Sequence, residues 1–444
     1  MAEIGLGITL LSLVIWLVLI FGRGQFWRSD QFLKDESLMD EGKRQKDKSD
    51  PTYPSAFSPY PFICAIIPAR NEADLLPVTL RSLLTQTYPN LQIVLVDDHS
   101  TDGTADVARQ TAQTCDRAST LTVIAAEPLP AGWTGKLWAM EQGIRYAQTL
   151  SPQPDYFLLT DADIEHHPEK LHQLVAKAQA DNLDMVSLMV LLRCKSTWEK
   201  LLIPAFVFFF QKLYPFRWAN DPSRKLAAAA GGCILIRREA LTEIGGLQIL
   251  RQALIDDCSL AQAVKGLGSR KAGGAAEARE QTSELKTQDL ELKTLHPHTP
   301  HPTPYTLQPT GKIWLGLTRQ THSLRPYPSL KTIWDMVART AFTQLNYSLL
   351  MLVGTLVGMT IIYVVPLVST IAGLLTGNWT IALVGLVTWL LIAVAYLPTL
   401  LLYQCPPLLA FGLPAIAFLY TLMTLDSAFR HWRGQGGAWK GRVY

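Results

Sequence analysis

Eighty consecutive residues, Asn346 to Leu425, carry no Lys, Arg, Asp or Glu. Gly377-Asn378, Pro398 and Cys405-Pro406-Pro407 punctuate this run into what reads as three membrane spans, since roughly 20 apolar residues at 1.5 Å each cross a hydrocarbon core of about 30 Å. A second uncharged apolar run, Ile4 to Phe21, opens the chain. Met1-Ala2-Glu3 lacks positive charge and no small-residue cleavage site precedes Arg23 and Arg28, so the run reads as a retained anchor, not a signal peptide. The chain is 48% hydrophobic and 17% charged, and the apolar excess sits at its two ends. Arg23, Arg28, Lys34, Lys43, Arg44, Lys46 and Lys48 follow the first run and favour the cytoplasmic side for the middle of the chain. Three further crossings would then leave Arg430, Arg433, Lys440 and Arg442 outside, against the same tendency, unless one segment is re-entrant.

A net charge of +3 over 444 residues, with no basic stripe interleaved with aromatics, argues against a nucleic-acid partner. The basic flanks suit an anionic lipid surface. Six cysteines, Cys64, Cys115, Cys194, Cys233, Cys258 and Cys405, form no C-x-x-C pair. They exclude zinc-ribbon and dithiol motifs, fit a reducing cytosol and read as core fillers.

The chain divides into an anchor (1–22), a charged juxtamembrane linker (23–61), a folded domain (62–268), an insertion (269–310), the end of the domain with an interfacial helix (311–345), the spans (346–425) and a basic tail (426–444). In the insertion Glu284-Leu285-Lys286-Thr287 recurs as Glu291-Leu292-Lys293-Thr294, ahead of a His/Pro tract from His296 to Pro302. It reads as disordered, its histidines solvated rather than metal-bound. Short continuous apolar runs, Phe62 to Ile67, Leu91 to Val96, Leu121 to Ile124 and Tyr156 to Leu159, predict strands buried on both faces. Helical stretches over Asp74–Thr85, Thr104–Ala112, Leu137–Ala147 and Glu169–Ala178 separate them, and such alternation predicts an α/β fold with a parallel sheet and ligands beyond the carboxyl ends of its strands. Lys331 to Leu345 is amphipathic and predicts a helix lying on the membrane. The Phe-rich stretch Trp198 to Phe216 reads either as interfacial, guiding a lipid, or as core.

Polar clusters follow the strands directly. Pro68-Ala69-Arg70-Asn71-Glu72 comes after the first. Asp97 and Asp98 come after the second, where a carboxylate can accept from a uracil N–H or a ribose hydroxyl. Ser100 to Gly103 looks like a cap and turn. Asp161-Ala162-Asp163 ends another strand; few, hard oxygen ligands suit Mg²⁺ or Mn²⁺ shared with substrate phosphates. Gly132-Trp133-Thr134-Gly135-Lys136 opens a helix without the Walker spacing; Lys136 can neutralise a diphosphate or merely lie exposed. Asp256-Asp257 also opens a helix: one carboxylate suits a general base, while Asp256 equally suits an N-cap. Gly231-Gly232 lets backbone approach a sugar closely. Arg339 can reach donor phosphates or a lipid headgroup.

As an ordered set, Pro68 to Glu72, Val96-Asp97-Asp98, Asp161-Ala162-Asp163, Gly231-Gly232 and Asp256-Asp257 resemble the family 2 glycosyltransferases with a GT-A fold, over roughly Phe62 to Leu267 and Gly311 to Leu345. Gly132 to Ala139, Ile255 to Ala261 and Trp314 to Thr318 resemble, more narrowly, the hopene-associated glycosyltransferases found with bacterial hopanoid genes. The resemblance implies a Rossmann-like mixed sheet flanked by helices, one N-terminal and about three C-terminal transmembrane helices, and inverting transfer from a nucleotide sugar, a UDP-sugar foremost, to a lipid such as a hopanoid. It implies that Asp97 or Asp98 binds the nucleotide, that Asp161 and Asp163 organise metal and diphosphate, and that Asp257 or Asp256 is the base. Two departures stand out. Met336-Val337-Ala338-Arg339-Thr340 replaces the Q-x-x-R-W of processive relatives, which disfavours polymer synthesis, and the insertion interrupts the path from the base helix to the next strand. Rival readings are transfer to polyprenyl phosphate or a ceramide-like lipid, and a non-catalytic membrane scaffold of the same fold.

Overall fold

The computed structural model describes residues 2–33, 60–251, 253, 256–268, 308–434, 438–439 and 442–443. The expectations for the linker at 34–59 and for the tract 269–307 fall outside these residues. Eight strands form one sheet in the order β3-β2-β1-β4-β7-β6-β8-β5: β1 Ile63–Ala69, β2 Leu91–Asp97, β3 Leu121–Ala125, β4 Tyr156–Thr160, β5 Ile164–His166, β6 Met185–Leu191, β7 Cys233–Arg237 and β8 Ile313–Ser323. Every residue of β1, β4 and β7 is buried, as continuous apolar runs require when helices cover both faces. Helices α2 Leu76–Leu84, α3 Thr104–Thr114, α4 Gly135–Gln148 and α5 Lys170–Ala180 match the expected stretches within a few residues.

The sheet is mixed, as the GT-A resemblance implies and contrary to the all-parallel expectation from alternation. Strands β1 to β4 pair in parallel, whereas β7 runs antiparallel to both β4 and β6. The reason lies in the connection. After β6 the chain leaves the sheet through α6, Thr197–Leu213, and returns at Gly231-Gly232 without a crossover helix packed on the sheet. It therefore re-enters from the edge where β4 ends, and β4 and β7 meet at the Thr160–Cys233 pair.

The helix α7 (256–268) leads into the undescribed tract. Its end meets the point of return: a Cβ on Gly268 would lie 2.9 Å from Thr310 O. The buried Asp184 accepts from the amides of Thr310 and Gly311 at 2.6 Å each. The end of α7 and the start of the β8 segment thus meet at Gly268 and Thr310.

Among the described residues four helices are long and apolar enough to cross a membrane: Glu3–Gly22, Leu349–Thr376, Trp379–Leu402 and Pro407–Trp432. We label the first α1 (Ala2–Gly22). The amphipathic segment forms α8, Leu330–Ala338, shorter than expected, and Leu349–Thr376, Trp379–Leu402 and Leu413–Trp432 are α9, α10 and α11. Helix α6 proves to be core. Phe208 packs on Tyr396 of α10 at 5.2 Å between ring centroids and Phe209 on Tyr420 of α11 at 5.0 Å, while Tyr420 OH donates to Leu202 O at 2.9 Å. Helix α8 likewise buries Ile333 and Val337 against protein. Its polar side pairs with α11: Trp334 Nε1 donates to Asp426 at 2.7 Å and Asp335 lies 2.8 Å from Arg430.

These contacts fix where α10 and α11 begin and end. Past α10, the Sγ of Cys405 stands 3.7 Å from that of Cys194, next to α6, and the amide of Leu192, just beyond β6, donates to Tyr403 OH at 3.3 Å. Phe411, just before α11, accepts at 3.1 Å from Trp389 in the middle of α10. The chain therefore returns partway along α10 over Pro407–Gly412 and climbs back through α11, whose last turns lie against α8.

Candidate active site

The loops after β1 and β2 brace each other. Asn71 N donates to Ser100 Oγ at 3.0 Å, Thr101 N to Asn71 Oδ1 at 2.8 Å, Glu72 N to Thr104 Oγ1 at 2.9 Å and Ala73 N to Asp102 Oδ2 at 3.0 Å. Asn71 and His99 hold left-handed backbone angles, φ 52° and 55°, which a closed web of such bonds can sustain. The cap and turn expected at Ser100 to Gly103 is this web. Asp98 is buried, 3.2 Å from His99 Nδ1 and 3.6 Å from Arg70 Nη1, and Arg70 donates to Asp98 O at 2.5 Å. Asp97 is only half-buried, with one oxygen on Ser100 N at 3.2 Å. The two acids that the sequence leaves equivalent thus differ: Asp97 faces the open strand edge and Asp98 braces the loop. Pro68 is buried within β1.

Asp161 and Asp163 follow β4 but have different partners. Asp161, 34% exposed, pairs with Lys136 Nζ at 2.6 Å. Asp163 is bound by Arg325, whose Nε lies 2.8 Å away, and the same guanidinium reaches both oxygens of Glu72 at 2.6 and 2.8 Å. Arg325 escaped the sequence reading, because it stands in the loop between β8 and α8 and both its partners are remote in the chain. Glu72, buried, thus anchors Arg325. Burial, then the neighbouring Asp161, raises the Asp163 carboxyl above the usual range even with Arg325 beside it.

Lys136 opens α4 as expected, and burial is outweighed by Asp161, Asp256 and Asp257, which raise its pKa. A side chain added at Gly231 would come within 3.6 Å of Lys136 Nζ and 3.5 Å of Asp257 Oδ2, so cation and acid meet at Gly231. Asp257 accepts from Gly231 N at 2.9 Å and from Cys258 N at 2.7 Å; Asp256 accepts from Asp257 N at 3.1 Å. Both acids thus use amides of the first turn of α7, which have no partner within the helix. Burial, then Asp256, pushes Asp257 up to about 7, against the pull of Cys258 N, Lys136 and Gly231 N. That suits a base working near neutrality.

Tyr214, at the end of α6, bonds Gln344 at 2.8 Å and feels the charge of Asp257. Arg339 is exposed at the end of α8. It acts on Tyr327, which also feels Asp163, Arg325 and Asp161, so it shares their side of the domain.

Among the described residues no group of three His, Cys, Asp or Glu side chains could hold a metal by itself. The donor chemistry nevertheless fits a divalent cation shared with a ligand. Glu72, Asp161, Asp163, Asp256 and Asp257 gather around Lys136 and Arg325, an excess of hard carboxylate oxygen beside the half-open Asp161.

The chain is 31% identical over 118 residues to the 4,4'-diaponeurosporenoate glycosyltransferase of Staphylococcus haemolyticus, covering 27% of this chain and 28% of that one. It is 27% identical over 214 residues to the probable glycosyltransferase YdaM of Bacillus subtilis, covering 47% of each. These matches span less than half the length of either relative. Among solved structures it is similar to the mannosyltransferase PcManGT from Pyrobaculum calidifontis in complex with GDP-Man and Mn²⁺, at 16% identity and a TM-score of 0.45, covering 95% of this chain and 98% of that one. The family described as Glycosyl transferase family 2 matches residues 64–245, the segment that builds the strand ends, Lys136 and Asp161.

Proposed function

We propose that the chain is a membrane-embedded glycosyltransferase that moves a sugar, with inversion, from a nucleotide sugar to the hydroxyl of a lipid. The observation that carries this reading is that Asp257 and the Lys136–Asp161 pair come together at Gly231. Asp257 takes the proton of the acceptor hydroxyl as that oxygen bonds to the anomeric carbon; the bond from this carbon to the diphosphate breaks, and its electron pair leaves on the diphosphate oxygen. Lys136, and Arg339 from α8, stabilise that charge. Asp97 and the web around Arg70 receive the nucleoside, and Gly231-Gly232 gives the sugar room. Asp161 and Asp163 are the residues that would hold Mg²⁺ or Mn²⁺, which when bound neutralises the diphosphate. Tyr214 and Gln344 lie where α6 and the segment after α8 bring a membrane-borne acceptor to Asp257.

A UDP-sugar and a hopanoid are the first donor and acceptor to test, on the sequence resemblance. Membranes containing the protein, incubated with labelled nucleotide sugars and Mn²⁺, are expected to label one lipid, and chelation is expected to abolish it. No labelled lipid, together with no nucleotide-sugar binding by calorimetry, would leave the scaffold reading standing. Labelling that survives in the Asp256→Asn, Asp257→Asn double variant would favour a phosphate acceptor, which needs little help from a base.

The proposal includes the topology. With α11 re-entrant, the basic tail lies on the same side as the catalytic domain, the cytoplasmic face, and the positive-inside conflict disappears. Cysteines introduced as Ser119→Cys and Gly434→Cys, probed on sealed vesicles with an impermeant maleimide, are expected to react from one side together. Reaction from opposite sides would overturn the re-entrant arrangement.

A further inference from the structure

Two buried polar side chains lie behind the acids and take no part in the steps above. Thr160, at the end of β4, is 2% exposed, and His166, at the end of β5, is 3% exposed. Thr160 Oγ1 donates to Gly232 O at 2.8 Å and stands 3.0 Å from His166 Nε2. A hydroxyl carries one proton; with it on Gly232 O, the ring must donate through its Nε2–H. Burial, then Lys170, pushes His166 down to about 3, which keeps the ring neutral and in its donor role.

The ladder between β4 and β7 ends at the Thr160–Cys233 pair, and the Thr160 hydroxyl extends it by one bond. On the other side, Ser187 of β6 holds Ala230 through bonds of 2.8 and 3.1 Å. Between these fixed points Gly231 N donates to Asp257 Oδ2 at 2.9 Å. A continuous run of contacts therefore joins the strand end that carries Asp161 to the loop that holds Asp257.

We propose that Thr160, held by His166, is a positioning residue that fixes the Gly231 amide against Asp257 and so sets the spacing between the base and the Lys136–Asp161 pair. This rests on the reading of Asp257 as the base. An error near 1 Å in such a spacing costs on the order of 100-fold in rate, which gives a buried hydroxyl leverage without any contact to substrate.

The test uses the full chain in nanodiscs. Thr160→Val keeps the volume and removes the hydroxyl; Thr160→Ser restores it. Hydrogen exchange at Gly231 and Gly232 is expected to rise in Thr160→Val and to return in Thr160→Ser. His166→Asn, which weakens the support while leaving the hydroxyl in place, should give a smaller change of the same sign. In transfer assays Thr160→Val is expected to lower kcat about 10- to 100-fold with donor KM changed less than about 3-fold. The acidic limb of its pH profile should move upward, because Asp257 loses an amide bond that favours its charged form. Asp256, Lys136, Cys258 and Tyr214 also face Asp257 and are the same in every variant. Wild-type exchange at Gly231 in folded Thr160→Val would overturn the inference. Exchange is read without substrate, so it decides this point even if the wild type transfers no sugar, an outcome that would sink the functional reading instead.

Discussion

Asp257→Asn is expected to lower sugar transfer by ~1,000-fold, the loss associated with removing a positioned general base, while leaving the protein folded. Gly231 N uses Asp257 Oδ2 and Cys258 N uses Oδ1, so the amide keeps an acceptor for one of them, and the loop should hold through the bonds of Gly232 to Thr160 and of Ala230 to Ser187. In the wild type, activity should rise with pH through about 7, where Asp257 loses its proton, and that limb should vanish in the variant. Stability should move the other way. A carboxyl whose pKa is higher folded than unfolded stabilises the fold while protonated, and this contribution is lost as pH rises from the ordinary carboxylate range through about 7. At pH 8 Asp257→Asn is therefore expected to melt no earlier than the wild type. Activity against pH, measured beside thermal unfolding in detergent, checks both halves. A variant with wild-type turnover would remove Asp257 from the mechanism.

Arg325→Met should instead strike stability. Its guanidinium serves Glu72 and Asp163, whose side chains are 8% and 11% exposed. Removing one partner of a buried pair costs about 3–5 kcal/mol, because the remaining charge keeps its desolvation penalty. Both acids lose this cation, and Asp161 already repels Asp163. The unfolding midpoint is expected to fall by about 10 °C at pH 8. The deficit should shrink at lower pH, because the Asp163 carboxyl, already raised by burial and Asp161, takes a proton more readily and the missing cation then matters less. Arg325→Lys should recover part of the loss, since one ammonium cannot reproduce the fork that spans both carboxylates. An unchanged midpoint would mean that the loop carrying Arg325 is not fastened through these acids.

The strands were legible because burial on both faces leaves a continuous apolar run. Such runs place β1, β2, β3 and β4 within two residues of their observed ends. The acids were legible as a set because each cluster directly follows a strand or opens a helix. Their division of labour was not. Asp97 and Asp98 are neighbours of one residue type, and only the web from Asn71 to Thr104 turns one outward and the other in. That Asp163 and Glu72 share one guanidinium could not be read locally, because Arg325 arrives between them from a distant loop. Thr160 and His166 carry no local signal at all, since a buried hydroxyl and a neutral ring acquire meaning only from what they face.

By itself, the sequence determined that uncharged apolar runs occupy both ends of the chain, that an α/β domain lies between them, and that carboxylates gather at its strand ends. These are properties of local composition and period, set by what each short segment can bury. Only the tertiary structure decided that β7 runs antiparallel, that α11 turns back toward the domain, and that Lys136, Asp161 and Asp257 stand around Gly231. Those facts depend on contacts between residues far apart in the chain, where geometry and charge are fixed jointly by several elements and written in none of them alone.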